Sequence, residues 1–300
     1  MNQKDLRIGF IGIGVLGKGL ALALAACGYS VAAAHSRSPA SSQWLADRIS
    51  GCLNYCDPQL LADHTDLVFI TTPDSVIGQV ADSIDWRPGQ AVVHCSGSQS
   101  PLILAKSQAQ GTLIGGFHPF QTFAGLDRPE EAVSRLAGIT FAVAGEGWLE
   151  TFLSDLAADL GGRAVSIPES SRALYHASAV LGCGYLAALL QVAVDSWRLL
   201  GFSDREALAA LLPLAATTVA NIGKQGVAAS VTGPVVRGDV GTIDLHLAAL
   251  SNSPPALRVY QALTAASLPL AAQRGIDAGQ LEQIRELIDD DRRRYCECPE

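Results

Sequence analysis

Through the first half of the chain, short apolar runs closed by glycines or small polar clusters alternate with longer stretches whose apolar residues recur every three or four positions. This rhythm predicts strands separated by helices. Strands are expected at 7–11, 29–34, 66–71, 91–95, 113–117, 139–144 and 163–167. Helices are expected after the first run (Leu16, Leu20 and Leu24 on one stripe) and at 39–50, 74–84, 101–109 and 147–160. After Pro168 only helical patterns remain, at 171–200, 204–222, 239–250, 254–272 and 277 to about 294. The alternation implies an α/β fold with a doubly wound, mostly parallel sheet, followed by an all-helical carboxyl-terminal domain. The pattern changes near Ile167-Pro168, which divides the chain into 1–167 and 168–300.

The first strand runs into Gly12-Ile13-Gly14-Val15-Leu16-Gly17, a GxGxxG turn opening an alanine-rich helix. The first glycine permits the tight turn, the second lets a pyrophosphate approach bare backbone, and the third lets helix and strand pack closely. The free N–H groups and positive dipole end of the helix then face the phosphates. Strand, turn, helix and a second strand follow in the order a Rossmann-type dinucleotide site requires, with Gly12, Gly14, Val15, Leu16 and Gly17 as its cofactor contacts. At the end of the second strand, where an NAD site presents a carboxylate to the adenosine ribose, this chain has His35-Ser36-Arg37-Ser38. No carboxylate repels a 2′-phosphate there; Arg37 can pair with one, and Ser36 and Ser38 can hydrogen-bond it, so NADP is the expected cofactor.

A hydrophobic share of 49% over 300 residues supports two cores. The net charge of −8 has no basic block within it, which argues against nucleic-acid and polybasic membrane partners. An anionic cofactor must therefore be held by local groups. Met1-Asn2-Gln3-Lys4-Asp5 leads directly into the first strand, so no signal peptide is expected, and no uninterrupted apolar run reads as a membrane span. These features predict a cytoplasmic protein. Seven scattered cysteines form no disulfide framework, and Cys296-Glu297-Cys298, with no histidine or second pair beside it, predicts no metal site.

Polar residues collect at the carboxyl ends of the expected strands, where a doubly wound sheet binds ligands. Thr71-Thr72-Pro73-Asp74 closes one strand, with Asp74 placed to cap the next helix. His94-Cys95-Ser96-Gly97-Ser98 closes the following one, and Gly115-Gly116-Phe117-His118-Pro119-Phe120 the one after. Thr72, Asp74, Ser96 and Gly97 are therefore further cofactor candidates. In the helical half, Asp239, Thr242 and His246 fall on one face of an expected helix, beside Arg237. An Asp, Thr and His stripe next to an arginine is equipped to hold a small polar substrate.

Taken together, these residues resemble the Rossmann-like oxidoreductases that carry a carboxyl-terminal domain of unknown function 2520, distant relatives of pyrroline-5-carboxylate reductase, ketopantoate reductase and the 3-hydroxyacid dehydrogenases. The resemblance spans nearly the whole chain. It rests on the glycine turn, Ser36-Arg37-Ser38, Thr72-Pro73-Asp74, His94 with Ser96-Gly97, the run from Gly116 to Phe123, Tyr175-His176-Ala177, and Thr232-Gly233-Pro234 with Arg237-Gly238-Asp239 and His246-Leu247. It implies an NADP-dependent reductase of open substrate. One departure stands out: where the family pattern usually reads Ser-Asn-Tyr, this chain reads Cys183-Gly184-Tyr185.

The expected chemistry is hydride transfer to a C=O or C=N carbon of a small carboxylate-bearing metabolite, the protein orienting the acceptor and stabilising the charge that appears. His118 and His176 are the expected proton donors because imidazole titrates near neutral pH. Arg237 is the expected carboxylate clamp, with Asp239 and His246 orienting it. The expected site lies in a cleft between the halves. The apolar residues wrapping helix 171–200 predict a homodimer built through the helical half. The contrasting reading is a non-catalytic NADP-binding sensor or scaffold, suggested by Gly184.

Overall fold

The computed structural model describes residues 3–126 and 128–296, with the side chains of Gln3, Pro129 and 290–296 left aside. Cys296-Glu297-Cys298 lies outside the described side chains. One eight-stranded sheet is built from β1 (Ile8–Ile11), β2 (Val31–His35), β3 (Leu53–Asn54), β4 (Leu67–Ile70), β5 (Ala91–His94), β6 (Leu113–Pro119), β7 (Thr140–Ala144) and β8 (Arg163–Ser166). The strand order is β3-β2-β1-β4-β5-β6-β7-β8. All neighbours are parallel except β6 and β7, which pair antiparallel with His118 opposite Ala142. Strands β4 and β5 are buried at every position, so their sequences run almost continuously apolar instead of alternating, as parallel strands covered on both faces do. An aromatic series binds the sheet's core: Phe10 stacks on Phe69 at 5.3 Å, Phe69 meets Phe117 edge-on at 6.0 Å, and Phe117 stacks on Phe141 at 4.8 Å.

Helices α1 (Val15–Ala26), α2 (Pro39–Ala46), α3 (Pro58–Asp63), α4 (Ile77–Asp82), α5 (Ala105–Ala109), α6 (Pro129–Ser134) and α7 (Trp148–Asp159) connect and cover the strands. Three elements were not anticipated from the pattern. Strand β3 is two residues long and exposed, so no apolar alternation marks it; pairing with Ala33 and Ala34 creates it. Helix α3 is set by Asp57, whose carboxylate accepts from the Gln59 amide at 2.8 Å ahead of Pro58. Helix α6 packs on α1 so closely that a Cβ on Gly19 would lie 2.4 Å from the Ala132 methyl.

The chain divides into two compact units, Met1–Cys183 and Gly184–Glu300. The break falls later than the change of pattern at Pro168, because α8 (Arg172–Gly182) is tied to the sheet: Arg172 is 5% exposed and Tyr175 bonds to His118. Cys183, with φ −123° and ψ −80°, interrupts the helix immediately before Gly184, at the departure from the family pattern.

The second unit contains α9 (Gly184–Leu199), α10 (Asp204–Gln225), α11 (Val227–Ser230), α12 (Val240–Leu250), α13 (Pro254–Gln273) and α14 (Ala278–Cys296). Its core is formed chiefly by Ile243, Leu247, Leu257, Leu268, Ile284 and Ile288. By contrast, α9 and α10 bury only Val194 and Ala207 fully. Leu186, Leu189, Leu212, Leu214, Val219 and Ile222 are exposed on them. Contrary to the expectation of no membrane-length run, Glu169–Leu199 and Asp204–Gln225 are long and apolar enough to cross a membrane by length and composition, each with 6% of its apolar window buried. The polar residues of these helices cluster at their ends and leave long apolar windows between.

Candidate active site

Each glycine of the opening turn has a separate geometric requirement. Gly12 adopts φ +96°, and a Cβ there would lie 2.8 Å from the Thr72 amide nitrogen. A Cβ on Gly17 would lie 2.4 Å from the Gly12 carbonyl, so helix and strand could not approach as they do. Gly14, the residue capping α1, faces open space. Its bare backbone and the amides that follow fit a pyrophosphate. Thr71 fastens the turn by donating from Oγ1 to the Gly12 carbonyl at 2.5 Å, and the buried Thr72 hydroxyl has no partner among the described residues.

At the end of β2, His35 Nδ1 lies 2.9 Å from the Tyr55 carbonyl, Ser36 is half-buried, and Arg37 and Ser38 are exposed. Ser38 precedes α2 without making a capping bond, leaving its hydroxyl uncommitted. A cleft lined by Ile13, Gly14, Val15, Lys18, Trp44 and Arg128 adjoins the glycine turn. Lys18 and Arg48 lie over the Trp44 ring, at 4.8 and 3.9 Å. These neighbours escaped the sequence reading because no spacing rule links them to the turn. Helix packing brings them there.

The polar cluster at the carboxyl rim of β4, β5 and β6 is tightly bonded. Ser96 Oγ donates to Asp74 Oδ2 at 2.6 Å, and Ser98 Oγ donates to the same oxygen at 3.1 Å. Asp74 therefore does not cap the following helix as expected; its carboxylate is drawn to the two serines across the strand ends. A Cβ on Gly97 would sit 2.7 Å from the His118 ring, so glycine is what allows the imidazole to lie on this backbone. His118 Nδ1 is 2.7 Å from the Tyr175 hydroxyl, and both rings pack with Phe120.

Burial, reinforced by His176, pushes the His118 pKa down to about 4. His118 is thus neutral at neutral pH, and it does not titrate near neutrality as expected of it from sequence. Tyr175, the neighbour that a helix pattern alone could not pair with His118, is pushed up to about 12 by burial and keeps its proton. His176 is half-buried beside this pair on the same helix. Beneath them, His94 is fully buried, and burial followed by the nearby Arg172 charge lowers its pKa to about 4.

The remaining candidates lie in the helical unit. Arg237 has a side chain 61% exposed, 3.9 Å from Asp239 Oδ2. Asp239 caps α12, accepting from the Thr242 amide at 3.0 Å and the Thr242 hydroxyl at 2.7 Å. His246 Nδ1 lies 2.8 Å from the Tyr260 hydroxyl on α13. The expected Asp, Thr and His stripe is thus largely engaged in holding its own helices. A cleft of about 390 Å³ in this unit, lined by Leu189, Val192, Val235, Tyr260 and Leu263 among others, is predominantly aliphatic. Among the described residues no group of three or more His, Cys, Asp or Glu is placed to hold a metal ion.

A doubly wound sheet with this strand order and a glycine turn at its switch point defines a dinucleotide-binding fold of the Rossmann type. Residues 7–97 match the family described as NADP oxidoreductase, coenzyme F420-dependent, and residues 139–267 match the domain of unknown function 2520. The two matches follow one another along the chain, so the amino-terminal part is similar to NADP oxidoreductases and the part behind it carries the domain of unknown function 2520. Among solved structures it is similar to a Bacteroides fragilis protein provisionally called an NADP oxidoreductase, at 23% identity and TM-score 0.69, covering 89% of this chain and 100% of that one. It is similar also to a reductive aminase from Aspergillus terreus in complex with NADPH and ethyl levulinate, at 16% identity and TM-score 0.62, covering 97% and 94%. A third is 1-pyrroline-5-carboxylate reductase from Streptococcus pyogenes, at 16% identity and TM-score 0.57, covering 97% and 99%. No curated protein matches the chain.

Proposed function

We propose that this chain reduces a C=O or C=N carbon of a small carboxylate-bearing metabolite, with Tyr175 delivering the proton. The observation that carries the reading is the His118–Tyr175 pair resting on Gly97, at the strand ends of the sheet that holds the glycine turn. The turn, with Ser36, Arg37 and Ser38 beyond it, suits NADPH, which supplies the hydride when bound. The reductive aminase and the pyrroline carboxylate reductase, whose names denote reductive chemistry, support this choice of reaction class.

The protein's own part is charge stabilisation and proton delivery. As negative charge grows on the acceptor heteroatom, the Tyr175 hydroxyl donates its proton there. His118, neutral and with Nδ1 facing the phenol oxygen, holds the phenol in place and stabilises the phenolate left behind, which takes its proton back from solvent. The imidazole therefore begins and ends neutral. Asp74, through Ser96 and Ser98, fixes the loop on which His118 rests. Arg237, the carboxylate contact that the sequence suggests, has an exposed guanidinium only loosely engaged by Asp239.

The exposed leucines of α9 and α10 support a homodimer in which a second copy covers them. A second copy is favoured over a bilayer because α8, continuous with the first apolar window, is anchored to the sheet by Arg172 and Tyr175. The test has two parts. NADPH consumption is followed with a panel of 2-oxoacids and cyclic imines, where no turnover on any member counts against the reading. Light scattering is expected to report twice the 31.3 kDa chain mass, and a monomer at micromolar concentration overturns the dimer.

A further inference from the structure

We propose that Lys18, seated on the Trp44 ring, binds the diphosphate of the cofactor, with Arg128 as a second cationic contact in the same cleft. The inference rests on reading the glycine turn as an NADP site and adds the side chains that supply its charge.

Lys18 stands where the helix alone gives no reason for a cation. It lies one turn beyond Gly14, its amide donating to the Gly14 carbonyl at 3.0 Å as α1 begins. The first turn of α1 contains no acidic residue, and a positive charge this close to the positive end of the helix dipole opposes it. Lys18 is half-buried, yet among the described residues its ammonium has no hydrogen bond and no carboxylate within ion-pair distance. The partner it does have is the face of Trp44, 4.8 Å from the ring centroid. Trp44 is itself held: the Arg48 guanidinium lies 3.9 Å from the same centroid, and Arg48 Nη1 donates to the Trp44 carbonyl at 3.2 Å. Two cations thus share one ring, and neither meets a carboxylate among the described residues, in a chain with 29 acidic residues and a net charge of −8. Such a cluster repels itself until an anion joins it.

The cleft beside this cluster encloses about 370 Å³ and is lined by Ile13, Gly14, Val15, Lys18, Trp44 and Arg128. Arg128 directly precedes α6, the helix packed against α1 at Gly19, and it engages Glu131 through Nε at 2.9 Å with its side chain 76% exposed. Two cations therefore border a cleft that is open at the bare backbone of Gly14, where a Cβ would meet nothing within 4 Å. Helical side chains lean toward the amino terminus of their helix, which carries the Lys18 stem back toward Gly14. Paired cations beside free amides suit a diphosphate ester, whose two charges are spread over several oxygens. The 2′-phosphate has separate candidates in Arg37 and Ser38 at the end of β2.

The test separates the two anionic parts of the cofactor. NADP⁺ and NAD⁺ share the diphosphate and differ in the 2′-phosphate. Both are titrated by calorimetry into the whole chain as wild type, Lys18→Met, Lys18→Arg, Trp44→Leu and Arg37→Ala. Methionine keeps an apolar stem on the ring and removes the charge. Lys18→Met is expected to weaken both dinucleotides by roughly tenfold and leave their ratio unchanged, with the melting temperature of the cofactor-free protein retained. Lys18→Arg should recover most of that loss, and Arg37→Ala should weaken NADP⁺ alone. Trp44→Leu should cost less than Lys18→Met and nothing further when combined with it, because the ring acts through the ammonium it positions. Unchanged affinities in Lys18→Met overturn the proposal, and a loss confined to NADP⁺ overturns it in favour of a 2′-phosphate contact. Additive losses from Trp44→Leu and Lys18→Met overturn the positioning role of the ring. A wild type that binds neither dinucleotide defeats the cofactor reading and the proposal together, whereas tight binding that Lys18→Met does not alter defeats the proposal alone. No turnover enters these measurements, so the reductase reading is judged separately.

Discussion

Each unit of the molecule contains a histidine whose Nδ1 meets a tyrosine hydroxyl. His118–Tyr175 has ring centroids 5.6 Å apart at 86°, and His246–Tyr260 has them 5.5 Å apart at 85°. As local geometries they are almost the same, and their surroundings separate them. The first pair sits at a sheet rim on a glycine that admits the ring, with Asp74, His94 and Arg172 around it. The second joins α12 to α13 beside an aliphatic cleft. A His–Tyr bond is thus no signature of chemistry by itself; what matters is whether the fold surrounds it with charge and a place for a reactant.

The sharpest way to break this comparison is to remove the two hydroxyls in turn. Tyr175→Phe is expected to lower turnover by about 10²- to 10⁴-fold with NADPH affinity kept, the loss typical of a missing proton donor. Tyr260→Phe is expected to leave turnover nearly intact and cost about 1 kcal/mol of stability. Equal kinetic losses would abolish the distinction, and steady-state kinetics with thermal unfolding decide it.

Next in size is a pH effect confined to the sheet unit. His94 and His118 are held to about 4 in the folded protein, against 6.5 ordinarily, so the unfolded chain binds more protons between these values. The stability from keeping them neutral is complete above pH 6.5 and is lost as pH falls toward 4, by at most about 1.4 kcal/mol per pH unit for each histidine. Urea midpoints at pH 7, 6 and 5 should fall accordingly, and His118→Gln should flatten the slope. A slope unchanged by that substitution would remove His118 from the linkage.

Cofactor selection should give a smaller, selective effect. Arg37→Ala is expected to weaken NADPH binding by about 1 to 3 kcal/mol while sparing NADH, as loss of one charge-assisted contact does. Wild-type affinity for NADH equal to that for NADPH, in a direct titration, would overturn this. Arg237→Gln is expected to matter least, within about 1 kcal/mol in kcat/KM, since its guanidinium is exposed and salt-screened. A larger loss in steady-state kinetics would restore Arg237 as the carboxylate contact.

Local chemistry and apolar periodicity determined the alternation of strands and helices, the glycine turn and the gathering of polar residues at strand ends. These are legible in sequence because a turn needing φ +96° at Gly12, or a strand buried on both faces, leaves its mark on adjacent residues. The pairing of β2 with β3, the packing of α6 on Gly19, and the placement of Lys18 and Arg48 on Trp44 left no such mark, because their partners are distant in sequence. The same holds for the site. His118 was identifiable as a rim residue, but its neutrality comes from burial and from His176, while its partner Tyr175 arrives on a helix 57 residues away. Asp74 read as a helix cap because capping is a local habit, and only the fold placed Ser96 and Ser98 within reach of its carboxylate. Nothing in the local sequence marks Arg172 as a buried residue. That it is buried against His94 and Gly116 was decided by tertiary structure alone, since burial depends on what the rest of the chain packs around a residue.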